Sequence, residues 1–210
     1  MASTSESGLR TAILDAARHL ITREGFRDVS MRMIARAVGC SVSSIYLYFP
    51  SKDSLIHTLI YEGFERWYEE SLAVVGRDEP PVRRLERLAR RYVDFGLENP
   101  EWYEVMYLFR PQRVARFPKE LYRRTRRSMD LVVQLIMECE PERFRSEEDA
   151  RIVANLIWSL LHGVVSTILA GRLDSRIDRE AYIRAAVAHV VRTVSPQAAP
   201  LDPAGASRLT

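Results

Sequence analysis

The stretch from Ser30 to Leu55, SMRMIARAVGCSVSSIYLYFPSKDSL, decides the fold. Met31, Ile34, Ala35 and Val38 recur at i, i+3, i+4 and i+7, the spacing of one buried helical face, and Ser30 stands where a helix N-cap belongs. Gly39 ends that helix, because glycine accepts the left-handed backbone of a sharp corner, and Ser41 caps a second helix over 42–48. Two short helices joined by so tight a turn have helix-turn-helix spacing. After Pro50 a further helix starts, with Ser51 as cap, Asp53 at the positive end of the helix dipole, and Leu55, Leu59 and Ile60 as its apolar side.

Working outward, Leu9, Ile13, Ala16, Ala17 and Leu20 predict a first helix from Leu9 to Glu24, closed by Gly25; Phe26 and Val29 would plug a three-helix head. The leading MASTSESG has neither the basic region nor the apolar core of a signal peptide and reads as a short disordered lead. The fourth helix continues through Phe64 and Trp67 to about Val75, a strut between head and body, and GRDEPP at 76–81 breaks it. A fifth helix over 82–98 turns Leu85, Leu88, Tyr92 and Phe95 inward and Arg83, Arg87, Arg90 and Arg91 outward. Asn99 and Pro100 start a short sixth helix over 101–109, residues 110–117 form a loop, and Pro118 begins a seventh helix to about Glu140. Ser146 caps the eighth, Asp178 begins a ninth that ends near Val194, and no stretch alternates as a strand would. The expected chain is all-α with about nine helices: a head at 1–55, a body at 56–194, and a proline-bearing disordered tail at 195–210.

Length and composition narrow the classes. With 210 residues and 47% apolar content the chain can close a substantial core, and its net charge of +3 permits a polyanionic partner without demanding one. The most basic stretch is 82–127, at +7, and not the helix-turn-helix. Cys40 and Cys139 lie far apart with no Cys/His cluster, which suggests neither a disulfide framework nor a metal or cofactor site and fits a reducing cytoplasm. Ile152 to Gly171 is free of charged residues and long enough to span a bilayer, but Asn155, Ser159, His162 and Ser166 form one polar stripe on it and no Lys/Arg asymmetry flanks it. The expectation is a buried helix of a soluble protein. No nucleophile and base pair, paired carboxylates or phosphate-binding glycine loop suggests an enzyme.

Ser30, Arg32, Ile34, Ala35, Gly39, Ser41, Ile45, Tyr46, Tyr48, Phe49, Lys52, Asp53 and Leu55 together resemble the DNA-binding head of the TetR-type transcriptional regulators. Those proteins are all-helical homodimers with a small-molecule pocket. Met31 takes a place where the family often has a small hydroxyl residue, Val38 one where it has Ala, and Cys40 one where it has Val. Trp158, His162 and Gly163, with the stretch from Tyr92 to Pro100, are similar to a subgroup whose C-terminal domain is named for a Trp-His-Gly motif.

The resemblance places Val42, Ser43, Tyr46 and Leu47 in the major groove and Ile45 in the core. That helix has no Arg, Lys, Asn or Gln for bidentate pairing with a base, so Val42 and Leu47 would touch thymine methyls and Ser43 would bond several bases. Arg32 is the candidate for a guanine or a phosphate; Lys52, Ser44, Tyr46 and Tyr48, with the arm near Arg10, would hold the DNA backbone. In the body, Tyr92, Phe95, Trp102, Tyr103, Met106, Phe109, Met129 and Trp158 would surround a largely apolar effector; His162 is either a ligand contact or a hydrogen-bonded core residue. The arginine runs are solvated faces, or they attract an acidic effector. Ser159, Gly163, Ser166 and Ala170 with Ala181, Ala185, Ala188 and Val191 would pair the last two helices with those of a second copy, which implies a pseudo-palindromic operator. Effector binding would shift the fourth helix like a lever and lower DNA affinity. The alternative is a DNA-organising or protein-interaction module without effector control.

Overall fold

Residues 3–25, 28–76, 78–108 and 118–195 are described in this computed structural model, and every regular element among them is helical. The helices are α1 (Ser3–Glu24), α2 (Met31–Val38), α3 (Val42–Tyr48), α4 (Lys52–Val75), α5 (Pro81–Glu98), α6 (Pro100–Tyr103), α7 (Lys119–Thr125), α8 (Arg127–Cys139), α9 (Glu147–Leu169) and α10 (Arg179–Val194), with a π turn at Glu104–Leu108. Taking α6 with its π turn, and α7 with α8 across the single residue Arg126, the described residues form nine helices and the all-α class expected. Phe26, the loop 110–117 and the tail beyond Ser195 fall outside the described residues.

Three elements differ from expectation. α1 begins at Ser3 rather than Leu9, so part of the lead expected to be disordered is helical; no proline interrupts it, and adding residues to a formed helix is easy compared with nucleating one. The sixth helix turns from α into π at Glu104, with Tyr103, Val105 and Met106 all buried. The seventh is interrupted at Arg126, and the Asn99 side chain makes no cap hydrogen bond, leaving Pro100 at the first position to start α6.

The chain divides into two compact units, Met1–Arg66 with Asn99–Thr125 and Trp67–Glu98 with Arg126–Thr210. In the first, Ile13, Ala17, Ile21, Val29, Ile34, Ile45, Phe49, Leu55, Leu59 and Val105 form one core, against which Leu9, Val42, Tyr48 and Trp102 pack partly buried. In the second, α5 packs on α8, α9 and α10, and Trp67 meets the Tyr92 ring edge-on at 5.3 Å and the Phe95 ring at 5.4 Å.

α9 is not buried all round. Ala150, Ala154, Ile157, Leu161, Val164 and Val165 are covered, whereas Ile152 is 56% and Leu156 61% exposed. Among the described residues it is the helix long and apolar enough to cross a membrane. On its open side Ile152 and Leu156 stand beside Asn155 and Ser159.

The basic stretch carries little free charge in the second unit. Arg83 pairs with Glu86, Arg84 with Glu138, Arg87 with Glu79, Arg90 with Asp94 and Glu180, and Arg91 with Glu70 and Glu98. Four of these partners, Glu70, Glu79, Glu138 and Glu180, lie outside residues 82–127, so the α5 arginines are met by carboxylates from elsewhere in the chain as well as from α5 itself.

Candidate nucleic-acid interface

Local chemistry sets the geometry of α2, the turn and α3. The Ser30 hydroxyl accepts the Met33 N–H at 3.2 Å and starts α2. Gly39, at φ 77°, closes it by donating its N–H to the Ala35 carbonyl at 2.9 Å; a side chain is disfavoured in that backbone conformation. Ser41 then accepts the Ser44 N–H at 3.0 Å, and Phe49 ends α3 by donating to the Ile45 carbonyl at 2.9 Å. Ile45 at 0% and Phe49 at 2% exposure anchor α3 to the core. Ser51 caps α4 by accepting the Ser54 N–H at 3.0 Å.

With Ile45 inward, Ser43, Tyr46 and Leu47 face outward, Tyr46 at 49% and Leu47 at 85% exposure. Val42, Ser44 and Tyr48 are half-buried. The Ser41 hydroxyl lies 2.8 Å from that of Ser43 and 2.7 Å from that of Ser44, so the three form a linked set. Arg32 is exposed on α2. Lys52 is half-buried at the start of α4, and burial lowers its pKa against the opposing pull of Asp53 and Asp28. Arg10 is engaged within the unit, 3.1 Å from Glu62 and 5.6 Å from the centre of the Phe49 ring.

The first unit also contains a clamp that sequence reasoning missed. Glu101 on α6 reaches two residues of α1: its Oε1 lies 2.9 Å from His19 Nδ1, and its Oε2 accepts the Arg18 Nε–H at 3.2 Å. The Arg18 guanidinium sits 4.3 Å from the centre of the Trp102 ring, a cation–π contact. Gly63 on α4 completes the arrangement, since a Cβ there would stand 2.7 Å from Met106 Cγ and Sδ and 3.2 Å from Trp102 Cε3. A glycine inside a helical pattern is disfavoured by about 1 kcal/mol against alanine, and its occurrence in α4 was the available signal.

The residues expected around an effector divide between the units. Tyr103 and Met106 are buried and Trp102 half-buried in the first; Tyr92 and Phe95 are buried in the second, with Met129 half-buried. Trp158 and His162 stack at 5.0 Å, also in the second, and burial lowers the His162 pKa. Phe109 falls outside the described residues. Of the residues expected to pair two copies, Ser159, Ala170, Ala181 and Ala185 are exposed, Gly163, Ser166 and Ala188 half-buried, and Val191, at 6% exposure, belongs to the core of its own unit. An open groove of about 450 Å³ on the outer side of α9 is lined by Glu148, Arg151, Ile152, Asn155, Leu156 and Ser159. Both cysteines are free, and burial pushes the Cys139 thiol up to about 12, away from thiolate chemistry.

Two short helices capped, turned and anchored in this way, with one side of the second open, form a helix-turn-helix, the geometry of a DNA-binding head. Residues 13–59 match the family model of bacterial regulatory proteins of the tetR family, and residues 85–190 match the tetracyclin repressor-like C-terminal domain. The chain belongs to the TetR family of DNA-binding transcriptional regulators. It is 26% identical over 182 residues to the uncharacterized HTH-type transcriptional regulator YobS of Bacillus subtilis (strain 168), covering 86% of this chain and 87% of YobS. It is 32% identical over 106 residues to the transcriptional repressor KstR of Rhodococcus jostii (strain RHA1), a match spanning 50% of this chain and 49% of KstR. In fold it is similar to a TetR-like transcriptional regulator from Rhodococcus sp. RHA1, with a TM-score of 0.68 at 22% identity, covering 90% of this chain and 97% of that one.

Proposed function

We propose that the protein is a cytoplasmic homodimeric repressor that binds a pseudo-palindromic operator through α2 and α3 and is released by a small, largely apolar effector. The observation that carries the DNA-binding part is the exposed side of α3, Ser43, Tyr46 and Leu47, held over a fully buried Ile45. Arg32 and Lys52 supply the flanking cations, and Ser44, Tyr46 and Tyr48 the remaining backbone contacts.

Pairing of two copies is supported by the open apolar side of α9, where Ile152 and Leu156 adjoin Ser159, and by Ala181 and Ala185 on α10. An apolar rather than acidic effector is favoured by the ion pairing of the α5 arginines and by the aromatic set around Trp67, Tyr92 and Phe95. α4 contains residues of both units, which supports reading it as the lever between effector and head.

Footprinting on the region upstream of its own gene, with light scattering on the same sample, tests the reading. Two protected half-sites related by a two-fold axis and a dimeric mass are expected. Protection without sequence preference would instead favour a DNA-organising role.

A further inference from the structure

We propose that Leu47 is the side chain by which this protein selects its DNA, and that it reads the C5-methyl group of thymine; the inference rests on the helix-turn-helix reading above. Val42 and Leu47 are the two aliphatic side chains on the reading side of α3, and the fold separates them. Val42 is half-buried and packs against the head core, as does Tyr48, while Leu47 stands 85% exposed next to Ser43 and Tyr46.

The polar groups beside it have limited freedom to discriminate. Three serine hydroxyls carry one proton each, and the contacts of Ser41 with Ser43 at 2.8 Å and with Ser44 at 2.7 Å use two of them. One proton is left to donate, and the free lone pairs accept from adenine or cytosine amino groups alike, so these hydroxyls bond several bases without choosing between them. α3 has no amide or guanidinium group with which to form a bidentate pair with adenine or guanine. Selectivity on α3 therefore falls to apolar contact, and the apolar feature of the major groove is the thymine methyl. Tyr46 has a hydroxyl at its tip and suits a phosphate as well as a base; Leu47 has only hydrocarbon to offer. A leucine so exposed in the free protein loses its contact with water when a methyl group covers it, and cytosine at the same place supplies no such group.

The test begins with enrichment of sequences from a randomised duplex library by the full-length protein. The enriched duplex is then synthesised with each thymine in turn replaced by deoxyuridine, which removes the methyl group and leaves base pairing intact. One thymine per half-site should be sensitive, its replacement weakening binding about 4-fold, and about 15-fold when both half-sites are changed, the effect of losing one buried methyl at each. Leu47→Ala should bind thymine and deoxyuridine duplexes alike, Tyr46→Phe should keep the discrimination, and Leu47→Gln should move the enriched base towards adenine. Because Leu47 lies outside the core, these substitutions leave the fold intact. Indifference of the parent protein to deoxyuridine at every position would overturn the proposal, as would undiminished discrimination by Leu47→Ala. Failure to enrich any sequence would instead overturn the operator-binding reading beneath it and favour a DNA-organising role.

Discussion

Glu101 and Glu104 lie one helical turn apart on the segment that faces α1, and their surroundings push them in opposite directions. The hydrogen bond with His19, and then Arg18, holds the Glu101 carboxyl below its ordinary value of 4.5. A depressed carboxylate stabilises the fold above its unfolded pKa, and that contribution is lost as pH falls through the folded value. Glu101→Gln should therefore lower the melting temperature at pH 7, with the deficit shrinking in acid. Burial, aided by Glu101, raises the Glu104 pKa, so its stabilising contribution is present at low pH and is lost as pH rises through the folded value. Glu104→Gln should raise the melting temperature at pH 7 and leave it unchanged in acid; thermal melts of both variants across pH check the pair. At the DNA surface, Lys52→Ala should weaken binding to all sequences and reduce the slope of log affinity against log salt by about one, read from a gel-shift series at several salt concentrations. The charges at these positions were legible in the sequence. Their partners were not, because Arg18, His19 and Glu101 are brought together only by the docking of α6 on α1.

Helix starts are the most legible elements. Ser30, Ser41, Ser146 and Asp178 all cap as their positions in sequence imply, since a cap involves only residues within one turn. Ser41→Ala should cost about 1 kcal/mol of stability, measured by urea unfolding. The π turn after α6 is a different case. Nothing local in Glu104–Leu108 asks for it, and Tyr103, Val105 and Met106 are all buried along it. Gly63 belongs to the same contact. Gly63→Ala should overpack Met106 at a cost of about 1–3 kcal/mol, offset by about 1 kcal/mol of helix propensity, and should cost less in a Met106→Ala background than in the parent; a four-member unfolding series checks this coupling.

For the whole molecule, the proposed pairing of two copies is tested on the open side of α9. Replacing Ile152 and Leu156 together by Arg should give a folded monomer in light scattering with weakened operator binding, because both side chains lie outside the core of their own unit. Val191→Ala should act on thermal stability rather than on oligomeric state, since Val191 is already covered. The sequence by itself determined the all-helical class, the helix-turn-helix with its caps and Gly39 corner, and the inward face of α5. Each of these follows from periodicity and from hydrogen bonds that reach no further than one turn. Only tertiary structure decided that residues 99–125 join the first unit, that Leu47 rather than Val42 stands free on α3, that the α5 arginines are paired with acids, and that Ile152 and Leu156 lie open while Val191 does not. Such outcomes depend on which residues distant in sequence come to lie against each helix face, and a pattern read along one helix carries no information about its neighbours.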